Sequence, residues 1–358
     1  MVLALSTIER LTRARGDLRM GVPVVLTEPG AAALVVAVEP LTDVRLAQLR
    51  ALGRPELVLS ARRASTLKTP AYDEDIARFD LPEDADLAWL LAMADPAQDL
   101  KHPMKGPFHP IRDGSARMHR AGLALVKSAQ LLPAVLLVRV HALTDPDLTR
   151  LALGDIEPEL LRSSPLHPVA AARLPMVASK AGRVHVFRPE DGGAEHYAIE
   201  IGQPDRARPV LARLHSACFT GDVLGSLKCD CGPQLRASLA QMGAEGAGVL
   251  LYLNQEGRGI GLANKLRAYS LQDQGFDTVE ANHRLGFEDD ERDFRIGTSI
   301  LREMGFGSVR LLTNNPAKIA MMEAMGVAVT ERVPLQVGKT DQNAGYLATK
   351  ALKSGHLL

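Results

Sequence analysis

Hydrophobic residues fall into short continuous runs separated by polar turns, not into long amphipathic stripes. In the first half, residues 22–26 (VPVVL), 34–38 (LVVAV), 57–60 and 134–140 are such runs. Apolar stretches of this length, rich in Val and Leu and bounded by turn residues, predict buried strands. Residues 44–52, 84–93 and 121–132 space Leu and Ala at helical intervals and predict helices. Residues 101–118 hold Pro, Gly and His with no period and predict a loop. Residues 163–175 (SSPLHPVAAARLP) are rich in Pro and Ala after a polar start and predict a linker.

Beyond that stretch the pattern changes. Residues 184–187 and 197–201 alternate and predict antiparallel strands. Apolar runs at 248–253 (GVLLYL), 308–312 and 327–332 predict further strands. Helices are predicted at 233–242, 260–274, 294–304 and 316–325. Strands first and strand–helix alternation afterwards imply a mixed sheet with flanking helices. The expected fold class is therefore α/β, of mixed α+β type, in two domains, 1–165 and 172–358. A chain of 358 residues accommodates two domains of ordinary size.

Composition narrows the function classes. Apolar residues make up 46% of the chain, enough for a sizeable core. Formal net charge is zero, which argues against nucleic acid or an anionic membrane as the main partner. No apolar run approaches the length of a membrane span. The N-terminus, MVLALSTIERLTRARG, becomes charged too early for a secretory signal. With free thiols, this predicts a cytoplasmic protein.

All three cysteines, Cys218, Cys229 and Cys231, fall within fourteen positions. Cys229-x-Cys231 is too tight for an ordinary disulfide, and an odd count leaves one thiol over. Three thiolates suit a soft tetrahedral metal, with zinc as the default. A fourth protein ligand, such as nearby His215, makes the site structural; an open fourth position that holds water makes it catalytic. Nearby Arg213 and Lys228 offer positive charge, and Asp222 and Asp230 are placed to orient ligands.

Three other stretches carry candidate chemistry. The loop 255–259 (QEGRG) lies between a predicted strand and a predicted helix. It is either a left-handed turn or a place where an anion meets backbone N–H groups. Residues 313–318 (TNNPAK) make a capped helix start, in which Lys318 sits against the helix dipole unless a phosphate relieves it. Residues 289–293 (DDERD) are either a solvated first turn or a source of one carboxylate for proton transfer and one arginine for phosphate.

Together, RLHSACFTGD, LKCDCGPQL, NQEGRGIGLANKLRAYSLQDQG, DTVEANHRLGF, DDERDF, LLTNNPAKI and the tail GHLL resemble GTP cyclohydrolase II, the first enzyme of riboflavin biosynthesis. The resemblance runs uninterrupted from about residue 209 to the end of the sequence. It implies zinc on Cys218, Cys229 and Cys231 with an open position for water. It implies GTP binding by Arg213, His215, Ser216, Gln234, Glu256, Gly257, Arg258, Thr278, Thr313 and Lys318. It further implies Asp290 as general base, Arg292 as nucleophile at the α-phosphorus and Tyr269 in ring opening. Magnesium would accompany the triphosphate, and the products would be formate, pyrophosphate and a diaminopyrimidinone ribosylamino phosphate. A homodimer is the expected assembly. Two positions depart from the family pattern: Ala217 stands where Glu is usual and Asn254 where Arg is usual. A paralogue that stops at the formylamino pyrimidine or serves uracil catabolism, and a GTP-binding regulator without turnover, are the alternatives.

Residues 10–165 resemble, loosely, a 3,4-dihydroxy-2-butanone 4-phosphate synthase. The resemblance rests on GVPVVL, LVVAVEPLTD and HPIRDGSARMHRAGLALVKSAQLLPAVLLVRV. That enzyme carries acids after its first strand, where this chain has TEPGAAA with only Glu28. His-Thr-Glu is replaced by Leu123-Ala124-Leu125, and Arg139 and His141 stand where a strand Glu is usual. The expectation is a domain inactive in that reaction.

Overall fold

The structure, a computed structural model, describes residues 3–101, 103–141, 145–345, 347, 348, 355 and 357. Of the tail motif, His356 and Leu358 lie outside the described residues. The chain forms two compact units, residues 1–162 with 263–291, and residues 163–262 with 292–358.

In the first unit the strands are β1 (Val24–Glu28), β2 (Ala31–Ala37), β3 (Pro55–Ser60), β4 (Ile76–Asp80), β5 (Ala134–Val140) and β6 (Arg150–Ala152). They form one sheet in the order β4-β3-β5-β2-β1-β6. Every pairing is antiparallel except the short β1–β6 contact. Helices α1 (Thr7–Arg19), α2 (Asp43–Leu52), α3 (Ala61–Thr66), α4 (Leu87–Ala94), α5 (Arg117–Ser128) and α6 (Leu153–Leu161) complete the N-terminal part. The main core joins Leu11 and Leu18 of α1, Leu125 and Val126 of α5 and Ile156 of α6 to Val24, Leu26, Val35 and Leu137 of the sheet. Alternate residues of a strand share a face, so Val24 and Leu26 point together into this core.

In the second unit the strands are β7 (Leu166–Arg173), β8 (Gly182–Pro189), β9 (His196–Ile201), β10 (Val210–Ser216), β11 (Gly248–Leu253), β12 (Ser308–Leu312) and β13 (Ala328–Val333). Their order is β13-β12-β10-β11-β9-β8-β7. β10, β11, β12 and β13 are parallel, and β7, β8 and β9 add antiparallel strands beyond β11. The helices of the second half are α7 (Cys231–Glu245), α8 (Leu262–Asp273), α9 (Thr278–Leu285), α10 (Arg295–Glu303) and α11 (Pro316–Ala324). Ile300, Leu301 and Met322 of α10 and α11 cover one face of the sheet, against Ala212, Leu214, Leu251 and Leu311. Met242, Leu235 and Leu239 of α7 cover the other, against Leu211 and Leu250. Helices on both faces explain why β11 reads as a continuous apolar run.

The stretch expected as a linker, 163–175, holds β7. This strand is exposed along nearly its whole length, and its register shifts between Pro168 and Ala170. Proline has no N–H for a central ladder, so it is accommodated at an edge and at a bulge. Helices α8 and α9 pack with the N-terminal unit although the chain reaches them from β11.

Candidate active site

β10 lies between β11 and β12, and all three are parallel. The chain leaves β10 towards one neighbour and later returns on the other side. A crevice outside the carboxyl ends of such strands is where open α/β sheets bind ligands. The loops following β10, β11 and β12 are those that carry the cysteines, QEGRG and TNNPAK.

The loop after β10 brings the sulfur atoms of Cys218, Cys229 and Cys231 within 4.8 Å of one another. Cys218 Sγ and Cys229 Sγ are 3.7 Å apart, far beyond a disulfide bond. The Gly221 N–H donates to Cys218 Sγ at 3.3 Å. A Cβ added at Gly221 would lie 2.7 Å from Cys229 Sγ and 3.0 Å from Cys218 Sγ, so the loop fits around the thiols only as glycine. Hydrogen bonds with Cys218 and Cys229, together with burial, push the Cys231 thiol well above its ordinary range. Contact with Cys218 also raises that of Cys229. Three crowded thiols resist ionisation together, and a divalent cation reverses that preference. The donor set is soft, close and buried or half-buried, and it fits zinc.

Asp222 organises the surroundings of this cluster. Its carboxylate accepts from His215 Nε2 at 3.0 Å, from the Tyr252 hydroxyl at 2.9 Å and from the Cys218 N–H at 3.0 Å. His215 and Tyr252 are register partners on β10 and β11, and their rings stack 5.5 Å apart. Burial lowers the pKa of His215, so it is neutral; donating through Nε2, it leaves Nδ1 as an acceptor. That buried Nδ1 has no hydrogen-bond partner. The arrangement ties His215 to Asp222 by its other nitrogen.

Arg213 is buried in β10, and desolvation lowers its pKa to about 10, which leaves it charged at neutral pH. Nη1 donates to the Leu312 carbonyl at 3.1 Å and Nη2 to Gln234 Oε1 at 2.5 Å. Its Nε has no hydrogen-bond partner. Gln234, on α7, donates in turn to Asp230. Lys318 is buried in the first turn of α11 and donates to the Leu214 carbonyl at 2.9 Å. That carbonyl supports a cation on a helix turn that otherwise disfavours one. Thr313 accepts the Asn315 N–H at 3.0 Å, and Asn315 caps the helix through Ala317.

After β11, Glu256 accepts from the Phe219 N–H at 2.6 Å, which ties the QEGRG loop to the cysteine loop. Gly257 and Arg258 both adopt left-handed backbone with φ of 63°. Arg258 is not a glycine, and such strain concentrates at functional sites. Arg292 donates to Ser216 Oγ at 3.2 Å and lies over the Phe294 ring. The second unit thus contains the cysteines with Arg213, His215, Ser216, Gln234, Glu256, Gly257, Arg258, Arg292, Thr313 and Lys318. Tyr269 on α8, Thr278 at the start of α9 and the exposed Asp290 belong to the first unit.

Tyr252 was absent from the sequence-based set. Its signal was an aromatic residue next to the end of GVLLYL, in a strand whose register could be known only from the sheet. Both departures have structural partners. Ala217 N–H bonds the Leu253 carbonyl at 2.7 Å, and Asn254 donates its amide to the Glu195 carbonyl.

A family model described as GTP cyclohydrolase II matches residues 167–334. The GTP cyclohydrolase-2 of Azospirillum brasilense is 41% identical over 98% of this chain and 94% of its own. That of Azotobacter vinelandii is 56% identical over 53% of this chain and 91% of its own. The riboflavin biosynthesis protein RibBA of Bacillus mycoides is 60% identical over 46% of this chain and 41% of its own. With a relative matched almost end to end and the thiol cluster on the segment the family model covers, the chain belongs to the GTP cyclohydrolase II family.

Proposed function

We propose that the protein hydrolyses GTP to formate, pyrophosphate and a diaminopyrimidinone ribosylamino phosphate, the first step of riboflavin biosynthesis, with zinc on Cys218, Cys229 and Cys231 and magnesium on the triphosphate. The carrying observation is that the thiol cluster and the buried Lys318 follow the carboxyl ends of two adjacent parallel strands, β10 and β12, and that the buried cation Arg213 lies on β10 itself. Zinc would supply Lewis acidity, lowering the pKa of water and polarising the guanine imidazole.

The chain's own groups then bind and orient. An unpartnered buried Nε on Arg213 forgoes about 1–3 kcal/mol of hydrogen bonding, which an anionic ligand restores. Lys318 and Thr313 take phosphate at the first turn of α11. His215, fixed by Asp222, presents Nδ1 as an acceptor for guanosine, and the nucleotide roles of Ser216, Gln234, Glu256, Gly257, Arg258 and Thr278 rest on the family resemblance. Arg292 acts at the α-phosphorus, Asp290 as general base and Tyr269 in ring opening, and all three assignments rest on the family resemblance. A cytoplasmic homodimer completes the reading.

The N-terminal unit is proposed to be inactive as a dihydroxybutanone-phosphate synthase. Glu28, the acid at the end of β1, pairs with Arg117 at 3.4 Å. Ribulose 5-phosphate incubated with the protein and magnesium is therefore expected to remain unchanged.

The deciding experiment incubates zinc-loaded protein with GTP and magnesium and measures formate, pyrophosphate and the ultraviolet spectrum of the product. Both products are expected, with loss of formate in Cys229→Ser. Pyrophosphate without formate would mean a formylamino product, and binding without turnover would mean a regulator.

A further inference from the structure

Residues 263–291 lie inside the segment matched by the family model, yet they pack with residues 1–162. The packing is extensive and chemically specific. Asn264, fully buried on α8, donates to the Gln130 carbonyl at 3.0 Å. Arg267 pairs with Glu39 at 2.9 Å and with Asp95 at 3.4 Å. Gln274 donates to the Ala97 carbonyl at 3.3 Å. Beyond α9, Gly286 has a φ of 89°, and a Cβ there would lie 2.8 Å from Ser60 Oγ. Arg62 grips Glu288 through two nitrogens, and Lys127 pairs with Glu291 at 2.7 Å. These contacts run from the start of α8 to the residue after Asp290.

We propose that the N-terminal unit functions as the support that holds this segment in its working conformation. The inference rests on the proposed reaction, because Tyr269, Thr278 and Asp290 ride on the supported segment. It gives the N-terminal unit a role that needs no catalytic group of its own. α9 has only eight residues and is flanked by loops. A helix of that length is marginal in isolation and takes its stability from what it packs against. The exposed Asp290 lies on the loop that follows. Glu291, its neighbour in sequence, is held by Lys127 of α5, and Glu288 by Arg62 of α3. Each of these pairs is a positioning contact.

Charge reversal with rescue tests this. Lys127→Glu places a carboxylate against Glu291, and adding Glu291→Lys restores the pair with its ends exchanged. The measurements, on the full-length zinc-loaded protein, are amide hydrogen exchange across 263–291, kcat and KM for GTP, and zinc content. Lys127→Glu is expected to speed exchange in residues 278–291 about tenfold, to lower kcat by a similar factor, and to leave KM and zinc content unchanged. The double variant is expected to return exchange and kcat towards the parent values. Unchanged exchange in Lys127→Glu would overturn the support role. Faster exchange with an unchanged kcat would also overturn it, because the segment's order would then not matter to turnover. If the parent protein released no formate from GTP, the proposed reaction would fail instead, and exchange would still decide whether the unit orders the segment.

Discussion

Gly221→Ala puts the geometry of the thiol cluster under direct strain. The added methyl would sit 2.7 Å from Cys229 Sγ, 3.0 Å from Cys218 Sγ and 3.1 Å from Cys231 Cβ. Non-bonded heavy atoms settle at about 3.5–4.0 Å, so the nearest sulfur must yield by roughly 0.8 Å. Metal–ligand distances tolerate about 0.2 Å, so the displacement is several times what a zinc site absorbs. Overpacking of this kind costs about 1–3 kcal/mol, equivalent to roughly a 5- to 150-fold loss of zinc affinity if the strain falls on the bound state. The loop cannot move away freely, because Glu256 holds the Phe219 N–H and Asp222 holds the Cys218 N–H. The assay is competition for zinc against a chromophoric chelator, with circular dichroism to establish that the variant is folded. A folded Gly221→Ala protein with the parent's zinc affinity would refute the reasoning, since the three sulfurs would then not need this cradle.

Further expectations follow from single contacts. Tyr252→Phe removes the hydroxyl that Asp222 accepts, costing about 1 kcal/mol; KM for GTP should rise about fivefold with zinc content unchanged, and steady-state kinetics with metal analysis would check it. His196 is buried, and desolvation lowers its pKa from 6.5 to about 4, while its Nδ1 accepts the Asn254 N–H. Its folded pKa lies below the unfolded one, so its contribution is complete above pH 6.5 and about 3 kcal/mol is lost as pH falls to 4. Urea unfolding across that range should show the loss, and His196→Gln should flatten it. Asp99 accepts from the buried Arg63 and Lys105, and Asp99→Ala leaves both cations uncompensated; a loss of about 3–5 kcal/mol is expected by urea unfolding.

Three interior strands are legible to the residue. Residues 134–140, 248–253 and 308–312 are β5, β11 and β12 as bounded by their apolar runs. Legibility fails where side chains contradict their burial. β10 contains Arg213 and His215, both buried, so its apolar pattern is broken by the residues that matter most. β4 hides in the same way, because Arg78 is buried but paired with Asp73. β7 fails for the opposite reason: an exposed edge strand has no apolar face to betray it. In α1, the buried Leu11, Ala14 and Leu18 carry a helical spacing that a dense polar sequence obscures. The thiol cluster was legible because three cysteines concentrate in one short stretch, and its cradle at Gly221 was not, because closeness of a backbone to sulfur leaves no mark in composition. Nothing local to residues 263–291 announces which unit they join; that depends on partners such as Glu39 and Lys127, distant in sequence.

The first unit is interrupted in sequence by a hundred residues that belong to the second, from 163 to 262. On a ribosome this fixes an order of events. The sheet of the first unit can begin to form once β6 has emerged, but its last layer, α8 and α9, is not yet synthesised. The second unit is likewise unfinished, because β12 and β13 come after residue 291. Each unit therefore waits on the other's synthesis, and contacts such as Glu39 with Arg267 close only late. Loop closure over such separations slows folding and prolongs the exposure of unpaired strands. A nascent chain halted before residue 263 should accordingly be protease-sensitive in both halves, and gain resistance in its N-terminal part once synthesis has passed residue 291.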